Sequence, residues 1–201
     1  LFTWHNVRQQ NTKRAGVHNK CLADYIAPKE TGIADYIGMF AVTGGIGIEA
    51  LEERFEKEMD DYSSIMIKAI GDRFAEGLAE CLHHRVRTDL WGYVETENLS
   101  SEEIIDEKYQ GVRPAPGYPA CPDHIVKRDM FDVLRPEDIG MMLTESMAMY
   151  PASSVSGFYL SHPLSSYFSI GNIGEDQFDD YCRRTGFDVA TAKRNLHSVL
   201  D

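Results

Sequence analysis

The chain has 201 residues, of which 43% are hydrophobic, and its formal net charge is −12. This length and apolar content suffice for one sizeable core, so a single domain is the first expectation. The acidic balance argues against nucleic acid as a partner, because binding to phosphates needs basic patches. No run approaches the roughly 20 apolar residues of a membrane span, and the first residues lack the layout of a signal peptide. We therefore expect a cytoplasmic protein that binds neither nucleic acid nor membrane.

The cysteines and histidines do not form a recognisable metal or disulfide pattern. Four cysteines lie far apart and without a C-x-x-C pair: Cys21, Cys81, Cys121 and Cys182. His83 and His84 are adjacent, so on a helix they point in different directions and cannot chelate one metal ion. We predict no metal site. Cys121 with His124 or His162 could form a thiolate pair, although packing is the favoured role for a cysteine in a proline-rich loop.

The first half of the chain is predicted to hold a core strand and a long helix. The stretch ADYIGMFAVTGG mixes aromatic and β-branched residues and stops at paired glycines, which is typical of a strand that enters a turn. The following TGGIGIE lacks the full G-x-G-x-x-G spacing, which disfavours a dinucleotide cradle. Apolar residues then recur at every fourth position: Tyr62, Met66, Ile70, Phe74, Leu78, Leu82, Val86 and Leu90. This periodicity predicts an amphipathic helix whose stripe faces the core and forms the spine of the domain.

The second half is predicted to alternate helices with short strands. NLSSEEIIDEKY carries a capping-box pattern, which predicts a short helix from about Ser101 to Lys108. A helix in DHIVKRDMFDVL precedes three strand-like runs, LTESMAMY, SVSGFYLS and YFSIGNI, whose short links suit an antiparallel β-meander. Two helices close the chain, one ending at Gly186 and one capped by Asp188. The expected fold class is α+β, with an antiparallel sheet and long flanking helices.

The stretch YQGVRPAPGYPACPDH, residues 109–124, places one arginine among four prolines. Each proline biases the residue before it to extended backbone, which fixes Arg113, Ala115, Tyr118 and Cys121. A guanidinium on so stiff a loop suits a carboxylate or phosphate, because little ordering entropy is lost on binding. Tyr118 could cover a planar ring, and Gly117 would let a ligand approach the backbone. The alternative is a surface turn whose arginine caps a helix or pairs with an acid.

Acidic and aromatic residues could complete such a site. Asp72, Glu76 and Glu80 recur four apart on the long helix, and Glu107 precedes Arg113 by six positions. An amino-acid ligand with a cationic centre needs both an acid and an arginine, whereas the alternative for the helix is a solvated charged face. Tyr167 and Phe168 are adjacent in a predicted strand, so one faces the core and the other can reach a pocket, unless both are structural.

Four stretches resemble one known family. ENLSSEEIIDEKYQGVRPAPGYPACPDH, LTESMAMYPASSVSGFYLSHPLSSYF, CLADYIAPKETGIADYIGMFAVTGG and DQFDDYCRRTG are similar to the C-terminal reactivation domain of cobalamin-dependent methionine synthase. The resemblance covers essentially the whole chain and implies a C-shaped fold around a twisted antiparallel sheet. It also implies a methyltransferase module of methionine biosynthesis that binds S-adenosylmethionine. Such a module returns cob(II)alamin to methylcobalamin with an electron from flavodoxin or a diflavin reductase.

The resemblance also implies individual roles. The family's R-x-x-x-G-Y motif falls on Arg113, Gly117 and Tyr118, so Arg113 would hold the methionine carboxylate. The implied ligand-binding residues are Glu76, Glu107, Arg113, Ala115, Gly117, Tyr118, Tyr167 and Phe168, where Phe168 replaces a second tyrosine of some relatives. Asp72 and His124 match positions that face the cobalamin module. Relatives have an additional N-terminal segment, so residues 1–201 are expected to be a domain that lacks its N-terminal third.

The implied chemistry needs no catalytic side chain. Methyl transfer from a sulfonium to a strongly nucleophilic cobalamin involves no proton, so orientation and electrostatics should dominate. The expected partners are the cobalamin module and a reductase, which the basic pairs Lys127–Arg128 or Arg183–Arg184 could attract. The alternative is a non-catalytic docking or regulatory module that binds a protein partner.

Overall fold

The structure, a computed structural model, describes residues 2–200. The backbone divides into two compact units. The first unit takes in the segments up to Gly38, from Leu99 to Asp129 and from Phe158 onward, and the second takes in Met39–Asn98 and Met130–Gly157. Within residues 2–200, no helix has both the length and the apolar character that crossing a membrane requires.

Within the part of the chain that the structure describes, four strands form two small sheets. β1 (Gly38–Thr43) pairs with β4 (Ser154–Tyr159), and β2 (Met142–Leu143) pairs antiparallel with β3 (Met149–Tyr150). Together with the helices, these sheets confirm the α+β class. The strand predicted in ADYIGMFAVTGG is β1, and its buried residues Phe40 and Val42 alternate with more exposed neighbours, as one face of a pleated strand requires.

The three predicted strands do not pair with one another as a meander, and the first of them, LTESMAMY, itself folds into a hairpin. β2 and β3 make a hairpin, but β4 pairs with β1 instead of β3, and residues 167–173 form no strand. The backbone nitrogen of Ile170 donates to Pro119 O and that of Ile173 donates to Val199 O, each at 2.9 Å. Because these bonds reach two different segments, no continuous ladder develops. Ile170 and Ile173 are nevertheless buried, so the strand-like pattern reflected burial and not sheet pairing.

The long helix predicted from the apolar period of four is confirmed, and a shorter helix precedes it. α1 (Ile48–Lys57) ends near Met59, whose positive φ of 54° breaks the helical path, and α2 (Asp61–Arg85) begins immediately afterwards. Asp60 caps α2, since its side chain accepts a hydrogen bond from Ser63 N at 3.0 Å. A π-helical turn, Val86–Leu90, continues α2. The apolar period of four runs across this turn and therefore could not reveal it.

The buried side of α2 consists mostly of small residues. Its buried positions are Ser64, Gly71, Ala75, Ala79 and His83. Gly44 shows why small residues are needed, because a Cβ there would lie 2.8 Å from Gly71 O, too close for any real side chain. The backbones of α2 and of the turn after β1 thus approach each other directly. This packing also aligns Asp72, whose carboxylate accepts a 2.8 Å hydrogen bond from Ser153 Oγ.

The predicted burial of the apolar stripe on α2 is wrong for this chain. Five of its residues are exposed: Tyr62, Met66, Ile70, Phe74 and Leu78. The physical reason is that the glycine and alanine positions on another side of the helix allow the closer backbone contact. Periodicity alone reports that a side of the helix is apolar, but it does not report which side the rest of the chain covers.

A buried ion pair follows α2. The Arg87 side chain is fully buried, and its Nε and Nη2 donate to the two carboxylate oxygens of Glu97 at 2.5 and 2.6 Å. His84 Nδ1 lies 2.8 Å from the same carboxylate. Burial raises the pKa of Glu97, but the hydrogen bonds from Arg87 and His84 outweigh this effect, so its net pKa is lowered. The pair fixes the segment after the π-helical turn.

Four further helices complete the fold. They are α3 (Ser101–Ile105), α4 (Val126–Leu134), α5 (Glu175–Thr185) and α6 (Val189–Asn195). The predicted capping box is confirmed, since Ser100 Oγ accepts from Glu103 N and Glu103 Oε2 accepts from Ser100 N. Gly186 ends α5 and Asp188 caps α6, as predicted. α3 is shorter than expected because Glu107, at φ 56°, leaves the helical region.

The first unit contains two hydrophobic clusters. One lies around α5 and α6 and includes Ile170, Tyr181 and Leu196. The other includes Val112, Cys121 and Leu160, and partly buried aromatic residues pack against it. This second cluster underlies the proline-rich stretch and therefore supports the backbone on which Arg113 lies.

Candidate functional site

The proline-rich stretch, hereafter the Arg113 loop (residues 109–124), is fixed to the segment 158–170. Val112 and Leu160 exchange two backbone hydrogen bonds of 3.0 Å. Phe158 N donates to Pro114 O and Ile170 N donates to Pro119 O, both at 2.9 Å. Proline restricts φ, and these bonds remove much of the remaining freedom. The loop is therefore a rigid support, as the sequence predicted.

Two tyrosine hydroxyls hold Arg113. Its backbone nitrogen donates to Tyr167 Oη at 2.9 Å, and its Nη1 donates to Tyr109 Oη at 3.1 Å. One bond fixes the main chain and the other fixes the guanidinium. Nothing in the spacing of Tyr109 distinguishes it from any other loop tyrosine, so the sequence did not predict this contact. Its role is visible only from the path of the Arg113 side chain.

The Tyr167 phenol accepts a hydrogen bond from Arg113 and is influenced by the charge of Glu107. Burial raises the pKa of the Tyr167 phenol, the hydrogen bond from Arg113 N lowers it, and the nearby groups Tyr109 and Glu107 raise it. The net pKa is raised, so the phenol stays protonated and neutral at physiological pH. Glu107 is exposed and lies within electrostatic reach of this hydroxyl. The structure thus places Arg113 in contact with Tyr167, and the charge of Glu107 acts on the same phenol.

Gly117 occupies a tight turn in the loop. Its φ is +93°, and its nitrogen donates to Cys121 O at 2.7 Å. A Cβ at this position would lie 1.9 Å from His124 Cε1, so the imidazole takes the space beside the glycine. Glycine is required here for both its conformation and this close approach. Tyr118, the next residue, is 62% exposed and leaves its ring face open to a ligand.

Ala115 contributes its backbone to the same turn. Its carbonyl oxygen accepts a 3.3 Å hydrogen bond from Tyr118 N. This bond closes the turn that presents the Tyr118 ring. Its contact with a ligand stays a prediction.

The ionisable groups at the end of the loop are buried. Burial raises the pKa of the Cys121 thiol to about 12, which opposes a thiolate pair and supports the packing role. Burial, with the charges of Lys127 and His197, lowers the pKa of His124. Lys127 is itself buried, and burial lowers its pKa. The expectation of an exposed basic pair at Lys127–Arg128 is therefore wrong for Lys127, because only Arg128 is exposed.

Phe168 and Glu76 have different surroundings. Phe168 packs against both hydrophobic clusters of the first unit. One of the two neighbouring aromatic residues, Tyr167 and Phe168, was predicted to face the core, and Phe168 has this role. Glu76 lies on α2 in the second unit, where it is exposed, whereas all the other predicted ligand residues lie in the first unit. That Glu76 and the other predicted ligand residues form one binding site stays a prediction.

A cavity of about 280 Å³ lies elsewhere in the first unit. It is lined by residues of the N-terminal segment, including Trp4 and His5, and by the acids Asp123 and Asp129. Asp123 accepts a 2.5 Å hydrogen bond from Tyr181 Oη, and burial raises its pKa. None of the predicted ligand residues lines this cavity. The cavity therefore lies apart from the predicted ligand residues, although Asp123, near the end of the Arg113 loop, lines it.

The groups around Arg113 are suited to binding. A fixed guanidinium recognises a carboxylate or phosphate, a nearby carboxylate favours a cation, and an open tyrosine ring favours a planar group. A zwitterionic amino acid attached to a flat heterocycle fits this combination. The arrangement orients such a ligand and assigns no proton transfer to any side chain.

Comparison with known proteins agrees with these features. The sequence model of the family described as "Vitamin B12 dependent methionine synthase, activation domain" matches residues 1–186. A solved structure of the MetH reactivation domain bound to AdoHcy is 54% identical, with a TM-score of 0.93, over 98% of this chain and 60% of that chain. The chain thus spans about 60% of the length of that solved chain. The family match over most of the sequence shows that this protein belongs to the activation-domain family of vitamin B12-dependent methionine synthase.

Proposed function

We propose that this protein binds S-adenosylmethionine and provides its methyl group for the reductive remethylation of cob(II)alamin in methionine synthase. The observation that carries the proposal is the placement of Arg113 by two tyrosine hydroxyls. It is supported by the 54% identity to a domain solved with AdoHcy, the demethylated form of the same compound. The proposed partners follow from the need of this reaction for an electron and a cobalamin.

The residues of the Arg113 loop fit such a ligand. Arg113 binds the carboxylate of the methionine part, and Glu107 lies where it favours the ligand's cationic groups. Tyr118 covers the adenine ring, with the Ala115 backbone and Gly117 shaping the turn beneath it. Tyr167 and Phe168 close the site from the segment 158–170, and Glu76 contributes a second negative charge. The methyl group leaves a neutral thioether, so these residues need only hold and orient the donor.

The proposed partners lie outside this chain. A cobalamin-binding module of the same enzyme accepts the methyl group, and flavodoxin or a diflavin reductase supplies the electron. Residues 1–201 are, in this proposal, part of a longer activation domain in the cytoplasm that serves methionine biosynthesis. Exposed basic residues such as Arg128 and Arg183 are available to an acidic reductase.

Calorimetric titration tests the binding step directly. We expect saturable heat with S-adenosylmethionine and with S-adenosylhomocysteine, and at least about a 30-fold loss of affinity in Arg113→Ala, the scale of truncating one partner of a buried charge pair. Arg183→Ala is the matched control, because Arg183 is an exposed arginine paired with Asp180, and it should bind normally. If neither this chain nor the longer polypeptide of its gene releases heat, the proposal is wrong and a non-catalytic docking module is favoured.

A further inference from the structure

α2 is apolar on two sides, and only one of them is covered. Its small-residue side is buried within the second unit. A second row, a slanted ridge of large apolar side chains at every fourth position, runs along the helix: Tyr62, Met66, Ile70, Phe74 and Leu78. We call this row the α2 stripe. Exposure ranges from 38% at Leu78 to 74% at Tyr62, so every member of the stripe is in contact with water.

A helix with this character is typical of the interior of a larger structure. Single exposed apolar residues are ordinary, but monomeric proteins rarely expose a contiguous row of them. The α2 stripe extends for about 24 Å along the helix at 1.5 Å per residue. Helices that are apolar on more than one side are usually buried all round. The exposed side of α2 is therefore an interface that these 201 residues do not complete.

The chemistry of the α2 stripe indicates a permanent interface. Its members are aromatic or aliphatic, while the charged residues Lys68, Asp72 and Glu76 occupy other positions of the helix. Permanent interfaces are more apolar than transient ones and resemble a core that has been cut in two. A transient docking site for a reductase would carry more charge. The occupant is thus either further polypeptide of the same domain or a second copy of the chain.

The comparison with the solved reactivation domain favours further polypeptide. This chain is matched over 98% of its length but covers only 60% of the solved chain, so about two fifths of that chain has no counterpart here. We propose that the α2 stripe is an internal surface of the activation domain, covered by polypeptide of the same domain outside these 201 residues. The inference rests on the proposed function only in that it takes the chain as part of a longer activation domain.

The thiol of Cys81 can report whether further polypeptide buries the α2 stripe. It is exposed, and it follows Leu78 by three positions and Phe74 by seven, which places it on the same side of α2. We expect iodoacetamide to alkylate Cys81 at least about ten-fold more slowly in the longer polypeptide of the same gene than in the 201-residue chain. Mass spectrometry of the Cys81 peptide measures the rate, and half-buried Cys182 in the first unit is the internal control. Equal Cys81 rates in both proteins would overturn the proposal.

A double substitution gives an independent readout. Ile70→Gln with Phe74→Gln should leave the thermal midpoint of the 201-residue chain within about 2 °C, because both side chains are already solvated. In the longer polypeptide it should lower the midpoint by more than about 5 °C. Ile139→Gln, at an isolated apolar position 52% exposed in the second unit, should change neither protein.

The alternative that a second copy of the chain covers the α2 stripe is tested with the same variant. If sedimentation shows a stable dimer of the 201-residue chain that the double substitution dissociates, the cover is another copy and the proposal is overturned. The affinity for S-adenosylhomocysteine is measured separately in the longer polypeptide. If the longer polypeptide does not bind S-adenosylhomocysteine, the proposed function is contradicted, but the alkylation result is unaffected.

Discussion

The phenol oxygen of Tyr167 accepts a 2.9 Å hydrogen bond from the backbone nitrogen of Arg113, although the two residues are 54 positions apart. Tyr109 Oη accepts a second bond from the guanidinium of the same arginine. A guanidinium that is ordered before binding loses less entropy when a ligand arrives. We therefore regard Tyr109 and Tyr167 as positioning residues for Arg113.

Tyr109→Phe should weaken S-adenosylhomocysteine binding by about five-fold, because one hydrogen bond to a charged group contributes on the order of 1 kcal/mol or more. The affinity for 5′-methylthioadenosine should not change, since this analogue lacks the carboxylate that we propose Arg113 binds. Titration of both ligands checks the prediction. Equal losses for the two would mean that Tyr109 supports the loop in general and does not position the guanidinium.

Glu76→Gln should weaken S-adenosylmethionine more than S-adenosylhomocysteine, because only the former carries the sulfonium charge. The difference in affinity between the two ligands, measured by titration of wild type and variant, is the readout. Asp61→Asn, at an exposed acid in the first turn of α2, is the control. Unchanged affinity for both ligands would assign Glu76 to the solvated face of the helix.

Gly117→Ala should destabilise the protein by at least about 2 kcal/mol, from a positive φ and a Cβ that would meet the His124 ring. Gly32→Ala is the control, since Gly32 also has a positive φ but no atom near its Cβ position. Chemical denaturation measures both changes. If Gly117→Ala costs no more than Gly32→Ala, the contact with His124 is not the cause. A second change, His124→Ala, should recover part of the loss.

Stability should decrease as the pH falls from about 7.5 to 5.5. The folded-state pKa of His124 lies below its ordinary 6.5, so in this range the unfolded chain binds more protons and protonation favours unfolding. His5 acts in the same direction, and Asp123, with its raised pKa, acts oppositely in more acidic solution.

His124→Phe keeps an aromatic ring and loses no hydrogen bond of Nδ1, which has no partner among the described residues. It should reduce the pH dependence of the unfolding free energy while leaving stability at high pH nearly unchanged. Denaturation at several pH values measures this. An unaltered slope would show that His124 does not titrate differently on folding.

Glu97→Gln should lower stability by about 3 kcal/mol, because it leaves the fully buried Arg87 guanidinium without its closest countercharge. For a chain of this size, the thermal midpoint should fall by roughly 6–12 °C. Replacing both residues by methionine should recover much of the loss, since a buried pair is costly to break but is not itself strongly stabilising. A midpoint unchanged by Glu97→Gln would contradict the importance of the pair.

Local chemistry explains what could be predicted before the structure. The capping box at Ser100, the cap at Asp188 and the helix end at Gly186 each depend on residues within one turn. The strand β1 ends at paired glycines, as its sequence indicated. The stiffness of the Arg113 loop follows from proline, whose ring restricts its own φ and the residue before it.

Contacts between distant residues decided the rest. The path of Arg113 depends on Tyr167, whose place is set by backbone bonds from residues 158–170 to the loop. The strand β4 pairs with β1, more than a hundred positions earlier, and α2 buries glycine and alanine beside Gly44 while its larger apolar residues stay outside. The spacing of apolar residues predicts that a side of a helix can be buried. Which side is buried depends on how closely the backbones of the helix and its neighbour can approach each other.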